Sequence, residues 1–218
     1  PANAQSAAEA NIPENPEVNA WVVIEPDDTV IIRIAQTELG QGVWTSNAMM
    51  VCEELQCDWS KVRPTYASVN RDGREMAPDW TLNVPGNGAN DPNGGGAPEY
   101  RDRQRLRGIP DSLYRRMRTN EAASVRDGRY YLQLAGAEAR ERLLIAAANL
   151  WNVPVEELSA KDSLITHAQS GNETTFGQIA HIAAATPHPD PESITIKAPD
   201  QWTLMGTEQK NLDVPDKV

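Results

Sequence analysis

The chain has 218 residues, a formal net charge of −11 and a single phenylalanine. That length fits one large domain or two small ones. The acidic balance excludes a nucleic-acid surface, because phosphate binding needs clustered Lys and Arg. No apolar run reaches the roughly 18 residues of a membrane span. The one basic stretch, Arg101 to Arg118, mixes seven arginines with Asp102 and Asp111. It reads as a solvated or partner-facing segment.

Residues 1–17 read as a flexible, small and polar terminus. Its Ala2-Asn3-Ala4 resembles the residue pattern near a signal-peptide cleavage site. Ala20 to Glu25 (AWVVIE) and Thr29 to Ala35 (TVIIRIA) are β-rich and joined by Pro26-Asp27-Asp28, which predicts a hairpin. Trp44, Ala48, Val51, Cys52 and Leu55 fall on one helical face, so a helix is expected from about Val43 to Gln56. Val62 to Val69 reads as a strand, and Pro64 places it at a sheet edge.

Cys52 and Cys57 lie five apart, too few for a tetrahedral zinc site and, on a continuous helix, pointing in different directions. They are expected to be two small buried residues without a disulfide. Glu53 and Glu54 are expected on a solvated helix face. From Arg71 to Ile109 the chain is crowded with Gly, Pro, Asn and Asp, which interrupt regular structure and predict a long insertion loop.

Leu132, Ala135, Ala139, Leu143, Ala146 and Leu150 form a second helical stripe, from about Gly128 to Asn152. Its small residues around Gly136 let another element approach closely. Ser163 to Ala168 reads as a short strand, Ser170-Gly171-Asn172 as a turn, and Thr175 as the start of a short helix ending before Pro187. Ser193 to Lys197 reads as extended. His167, His181 and His188 are dispersed, and no catalytic or metal-ligating set stands out. The order of elements predicts an α+β fold, with helices packed on one face of a mixed sheet over residues 18–218.

Two stretches carry candidate chemistry. Gly40-Gln41-Gly42 lies between a strand and a helix. Glycines permit positive φ and close approach of a ligand to the main chain. The N–H groups of the helix start favour an anion, and glutamine brings an amide able to pair with a heterocycle edge. The second stretch, Asn120 to Gly128 (NEAASVRDG), also precedes a helix and offers small residues and the Ser124 hydroxyl. If both face one cavity, they can clamp a flat, anionic, hydrogen-bonding ligand.

The segment ELGQGVWTSNAMMVCEELQCDWSKV resembles the E-M-G-Q-G-x-x-T stretch of the large, molybdopterin-binding subunits of the xanthine dehydrogenase and aldehyde oxidase family. NEAASVRDGRYYLQLAGAEARERLLIAAANLWNVP resembles that family's A-A-S-V-S segment and its helix. SLITHAQSGNETTFGQIA and GTEQKNLDVPDKV are similar to the branch with isoquinoline oxidoreductases and bacterial membrane-associated aldehyde dehydrogenases. The resemblance runs from Val18 to Val218. It implies that the fold is part of a molybdenum-cofactor-binding domain. It places Leu39, Gly40, Gln41 and Gly42 on the pyranopterin, with only a backbone contact from Leu39. It places Ala123, Ser124 and Arg126 on the pterin and phosphate side, Arg126 standing where relatives carry a second serine.

The resemblance further implies molybdenum held as molybdopterin cytosine dinucleotide, and oxidation of an aldehyde to a carboxylic acid. Electrons pass to a small subunit with 2Fe-2S clusters and a cytochrome c subunit with haem c. The assembly is expected in the periplasm, peripherally attached to the inner membrane. No catalytic residue and no metal ligand is assigned within this chain. The family's base motif is not found in it, so the base is expected beyond residue 218, in the remainder of the large subunit. Hydroxylation of an N-heterocycle, such as isoquinoline or nicotinate, is the alternative reaction. A non-enzymatic extracytoplasmic binding module is the alternative class.

Overall fold

The structure is a computed structural model, and it describes residues 16–67, 119, 122, 124–190 and 193–213. The first terminal residues, the expected insertion 71–109, the arginine run and Ala123 lie outside the described residues. Seven strands are described: β1 (Glu17–Asn19), β2 (Val22–Ile24), β3 (Val30–Ile34), β4 (Val62–Tyr66), β5 (Leu158–Lys161), β6 (Leu164–His167) and β7 (Asn172–Thr175). The helices are α1 (Val43–Leu55), α2 (Ser124–Trp151) and α3 (Phe176–Ala185).

The first sheet runs β1-β2-β3-β4 and is mixed: β1 to β3 pair antiparallel, and β3 pairs parallel with β4. The expected hairpin is present, with Val22, Val23 and Ile24 opposite Ile32, Ile31 and Val30. Ala20 and Trp21 form the turn from β1 rather than part of the strand. Asn19 closes that turn, its side-chain oxygen accepting the N–H groups of Trp21 and Val22 at 3.0 Å each. The parallel β3–α1–β4 unit supplies the crossover that parallel pairing requires. Pro64 sits opposite Ile32 on edge strand β4, where one missing N–H is tolerated.

A second sheet, β5-β6-β7, is antiparallel. It corrects the expectation of one sheet with a lone strand at Ser163–Ala168. Asp162 and Ser163 both take positive φ, 49° and 64°, and form a two-residue hairpin loop that matches strand twist. β5 (LSAK) and β7 (NETT) carry too little apolar content to announce themselves.

The helices pack on the face of the first sheet that carries Val30, Ile32 and Ile34, all fully buried. The helix stripe on α2 is buried as expected, except Leu150, which is exposed at the last turn. Gly136 is where α1 and α2 meet: a Cβ there would lie 2.3 Å from the Val51 carbonyl oxygen and 3.0 Å from the Glu54 Cβ. The α3 start is fixed by a capping box between Thr175 and Gln178. Gly177 then donates its N–H to Asp28 Oδ1 at 2.7 Å, which holds α3 against the β2–β3 turn.

Glu53 and Glu54 are not on a solvated face; they are 2% and 0% exposed. Residues 193–213, expected to begin as an extended segment, form an irregular strap over that side of α1. The Glu53 carboxylate accepts the N–H groups of Thr203, Leu204 and Met205 at 2.9, 2.7 and 3.0 Å, and the Lys197 ammonium at 2.5 Å. Glu54 accepts the Lys197 N–H at 3.1 Å and the Gln133 amide at 3.0 Å. A second buried cluster ties β1 and the end of α3 to α2. In it the Arg142 guanidinium donates to the carbonyls of Val18, Ala184 and Thr186, and Glu138 meets Asn19 and His188.

Candidate functional site

The loop between β3 and α1 is built around Glu38. Its Oε1 accepts the N–H groups of Gly40 and Gly42 at 2.7 and 3.0 Å, and its Oε2 accepts the Trp44 N–H at 3.0 Å. Burial raises the Glu38 pKa, but the three donors outweigh it and hold the carboxyl below its ordinary value of 4.5. This corrects the expectation that the helix start is open to a ligand anion: the chain's own carboxylate occupies it. Gly40 and Gly42 take φ of 96° and 75°, a conformation that L side chains rarely adopt, which is why both are glycine.

Gln41 folds back over the loop. Its Oε1 accepts the Leu39 N–H at 2.5 Å, and its Nε2 donates to the Thr37 carbonyl at 2.8 Å. One N–H and one lone pair of that amide remain for a further partner. Leu39 is 75% exposed, and among the described residues nothing lies within 4 Å of the position a Gly40 Cβ would take. The outer edge of the loop thus offers an apolar side chain, a bare main chain and an amide.

The two candidate stretches lie at the same end of the molecule. α1 and α2 run side by side in the same direction, with Gly128 against Asn47 and Gly136 against Val51. The Thr37 N–H donates to Thr119 Oγ1 at 2.7 Å, linking the approaches to both helices. Ser124 opens α2 and is half-buried; Arg126 is exposed one turn into it. Ala123 lies outside the described residues.

Several residues that the sequence did not single out complete the floor. Asn47 donates to Gln36 Oε1 at 2.9 Å, and Gln36 donates to Tyr131 Oη at 3.2 Å. Trp44 packs edge-on against Tyr66, ring centroids 4.6 Å apart, and its buried indole N–H has no acceptor among the described residues. The Leu212 N–H donates to Thr45 Oγ1 at 2.9 Å, bringing Asn211 within 3.2 Å of a Gly42 Cβ position. These contacts span up to 167 positions in sequence, so local pattern carries no signal for them. Among the described residues, no group of three or more His, Cys, Asp or Glu is placed to hold a metal, and no helix is long and apolar enough to cross a membrane.

Comparison with known proteins gives a family match to part of the chain. Residues 3–76 match the family described as the molybdopterin cofactor-binding domain. That segment contains the whole Glu38–Trp44 loop. The chain is homologous to the isoquinoline 1-oxidoreductase subunit beta of Brevundimonas diminuta, 26% identical over 233 residues, covering 92% of this chain and 25% of that one. It is also homologous to a membrane-bound aldehyde dehydrogenase (pyrroloquinoline-quinone) of Gluconacetobacter polyoxogenes, 23% identical over 205 residues, covering 92% of this chain and 21% of that one. The chain therefore spans about a quarter of the length of the curated relatives it matches. Among solved structures, quinoline 2-oxidoreductase from Pseudomonas putida 86 is similar over 76% of this chain and 16% of its own, with a TM-score of 0.43 and 17% identity.

Proposed function

We propose that this chain forms one wall of a molybdenum–molybdopterin site in an oxidoreductase that converts aldehydes to carboxylic acids. The observation that carries the reading is the Gly40-Gln41-Gly42 loop, inside the matched segment, with an open outer edge and a free amide valence on Gln41. Gln41 donates its remaining N–H to the pterin edge; Leu39, Gly40 and Gly42 lie along the same edge; Ala123, Ser124 and Arg126 lie on the phosphate side. The loop fits a pterin edge better than a phosphate, because the Glu38 carboxylate already sits at the helix start and takes the Gly42 and Trp44 N–H groups.

The bound group supplies the redox chemistry, and this chain's residues position it. The nucleotide form is molybdopterin cytosine dinucleotide. Electrons leave through a 2Fe-2S subunit and a cytochrome c subunit in a heterotrimer at the periplasmic side of the inner membrane. An N-heterocycle as substrate is the second reading, favoured by the isoquinoline relative.

The test uses the intact complex. Elemental analysis and oxidative pterin assay should find molybdenum and pterin together, and Gln41→Ala should lower pterin content at unchanged protein folding. A panel of aldehydes and N-heterocycles with an artificial electron acceptor separates the two substrate readings. Active complex holding a quinone and no molybdenum ends the proposal, and undiminished pterin content in Gln41→Ala removes Gln41 from the site.

A further inference from the structure

The two cysteines do not lie on one continuous helix. α1 ends at Leu55, and Gln56 takes the left-handed conformation with φ of 64° and ψ of 34°. Its N–H donates to the Cys52 carbonyl at 2.9 Å. In this type of helix ending, the residue after the left-handed position swings back over the helix's last turn, where side chains at the two places meet. Here those places are held by Cys57 and Cys52. Both are buried, their sulfurs are 2.9 Å apart, and Cys52 Sγ also lies 3.2 Å from the Cys57 carbonyl oxygen. The expectation that five-residue spacing turns the side chains apart fails because the helix stops between them.

We infer that Cys52 and Cys57 form an intrachain disulfide that locks the end of α1 to the following turn. The sulfurs, 2.9 Å apart, are within about 1 Å of the bonded separation of about 2.05 Å, and the two thiols are brought together by backbone already in place. The turn they would lock is a junction. The Ser163 N–H donates to the Gln56 carbonyl at 3.1 Å, and Asp58 donates its N–H to Ser163 Oγ at 2.9 Å. The β5–β6 hairpin therefore hangs from the same three residues. The disulfide would hold the second sheet to the end of α1, on the side of the molecule away from the Gly40–Gly42 loop.

Atoms and electrons balance with a small-molecule or protein disulfide as oxidant. One cysteine thiolate attacks an oxidant sulfur and releases one oxidant thiol, leaving a mixed disulfide. The second cysteine thiolate displaces the other oxidant sulfur. Two electrons and two protons leave on two oxidant thiols. Thiolate is the reacting form. In the folded chain, burial and the neighbouring Cys52 push the Cys57 thiol well above its ordinary value, so exchange belongs to folding, before α1 is covered.

The experiment takes the intact protein. One aliquot is isolated without reductant and acid-quenched; a second is refolded with oxidised and reduced glutathione. Each is denatured, alkylated and cut with trypsin. Ile34–Lys61 is the tryptic peptide that carries both thiols. The expected product is this peptide unalkylated and two hydrogens lighter than the dithiol, resisting fragmentation between Cys52 and Cys57. Both cysteines alkylated in both aliquots overturn the inference, as does a disulfide between two copies of the chain. Reduction should lower the melting midpoint of the oxidised protein by about 4–9 °C, the effect of closing a loop of about six residues in a domain of this size. It should leave the Cys52→Ala/Cys57→Ala variant unmoved. A disulfide whose reduction does not shift the midpoint overturns the locking role.

Discussion

Replacing Glu53 with glutamine is the sharpest perturbation of this fold. The side chain is 2% exposed and anchors a strap 144 to 152 positions away in sequence. One carboxylate oxygen accepts three backbone N–H groups, from Thr203, Leu204 and Met205, and the other faces the Lys197 ammonium. Glutamine keeps one acceptor oxygen, so its amide group must confront either the three N–H donors or the ammonium, donor against donor. Leaving a buried charge without its partner costs about 3–5 kcal/mol. The four bonds do not add separately, because the strap can detach as a unit and cap the loss at its own local unfolding energy. The expected cost is thus about 3 kcal/mol or more in urea unfolding, with amide protection at Thr203–Met205 lost first. Glu54 is the control, since its pKa is raised, chiefly by burial, against the Lys197 N–H, Gln133 and two cations. A neutral isostere there should cost less than at Glu53. A Glu53→Gln loss below about 1 kcal/mol with protection intact at Thr203–Met205 would refute the anchoring argument.

Gly136→Ala gains about 1 kcal/mol of helix propensity but drives a methyl to 2.3 Å from a backbone oxygen of α1. Overpacking of about 1–3 kcal/mol wins, and thermal or urea unfolding should show net destabilisation. Glu38→Gln removes a charge from a helix start and should cost about 1–2 kcal/mol, read by urea unfolding at neutral pH. Because the Glu38 pKa is held below 4.5, its contribution is complete above that pH and disappears as the pH falls through the folded value. An acid titration should therefore destabilise the parent more steeply than Glu38→Gln.

The hairpin, α1, the α2 stripe and the capped α3 were legible because each carries its own period or cap: Val30, Ile32 and Ile34 alternate, and Thr175 and Gln178 form a box. The second sheet was not, because four-residue strands such as LSAK and NETT are short, carry few apolar side chains and owe their existence to pairing. The Gly40–Gly42 loop was visible as an odd tripeptide between two elements. Its meaning was half-read. The glycines signalled positive φ, but which acceptor takes the helix-start donors depends on where the Glu38 side chain turns, two to six residues from its partners. Glu53 and Glu54 misled for a different reason. Two adjacent carboxylates look solvated until a distant strap brings donors to both. Cys57 misled because the helix ends one residue before Gln56, and a spacing argument holds only while the helix continues.

The position of Glu38 also says how the candidate site is made. An empty helix start leaves several N–H donors waiting for an anion, and such a loop is ordered by whatever arrives. Here the Gly42 and Trp44 donors, with that of Gly40 before them, are taken by a residue of the same loop, and Gln41 closes the other side through Leu39 and Thr37. The loop can hold its shape before any cofactor binds, so a ligand need not supply the free energy to order it. What remains for recognition is on the outer edge: one amide valence, an exposed leucine and bare glycine main chain. These are suited to discriminating the hydrogen-bonding rim of a flat heterocycle. They are poorly suited to gripping a phosphate, which must find its cation elsewhere.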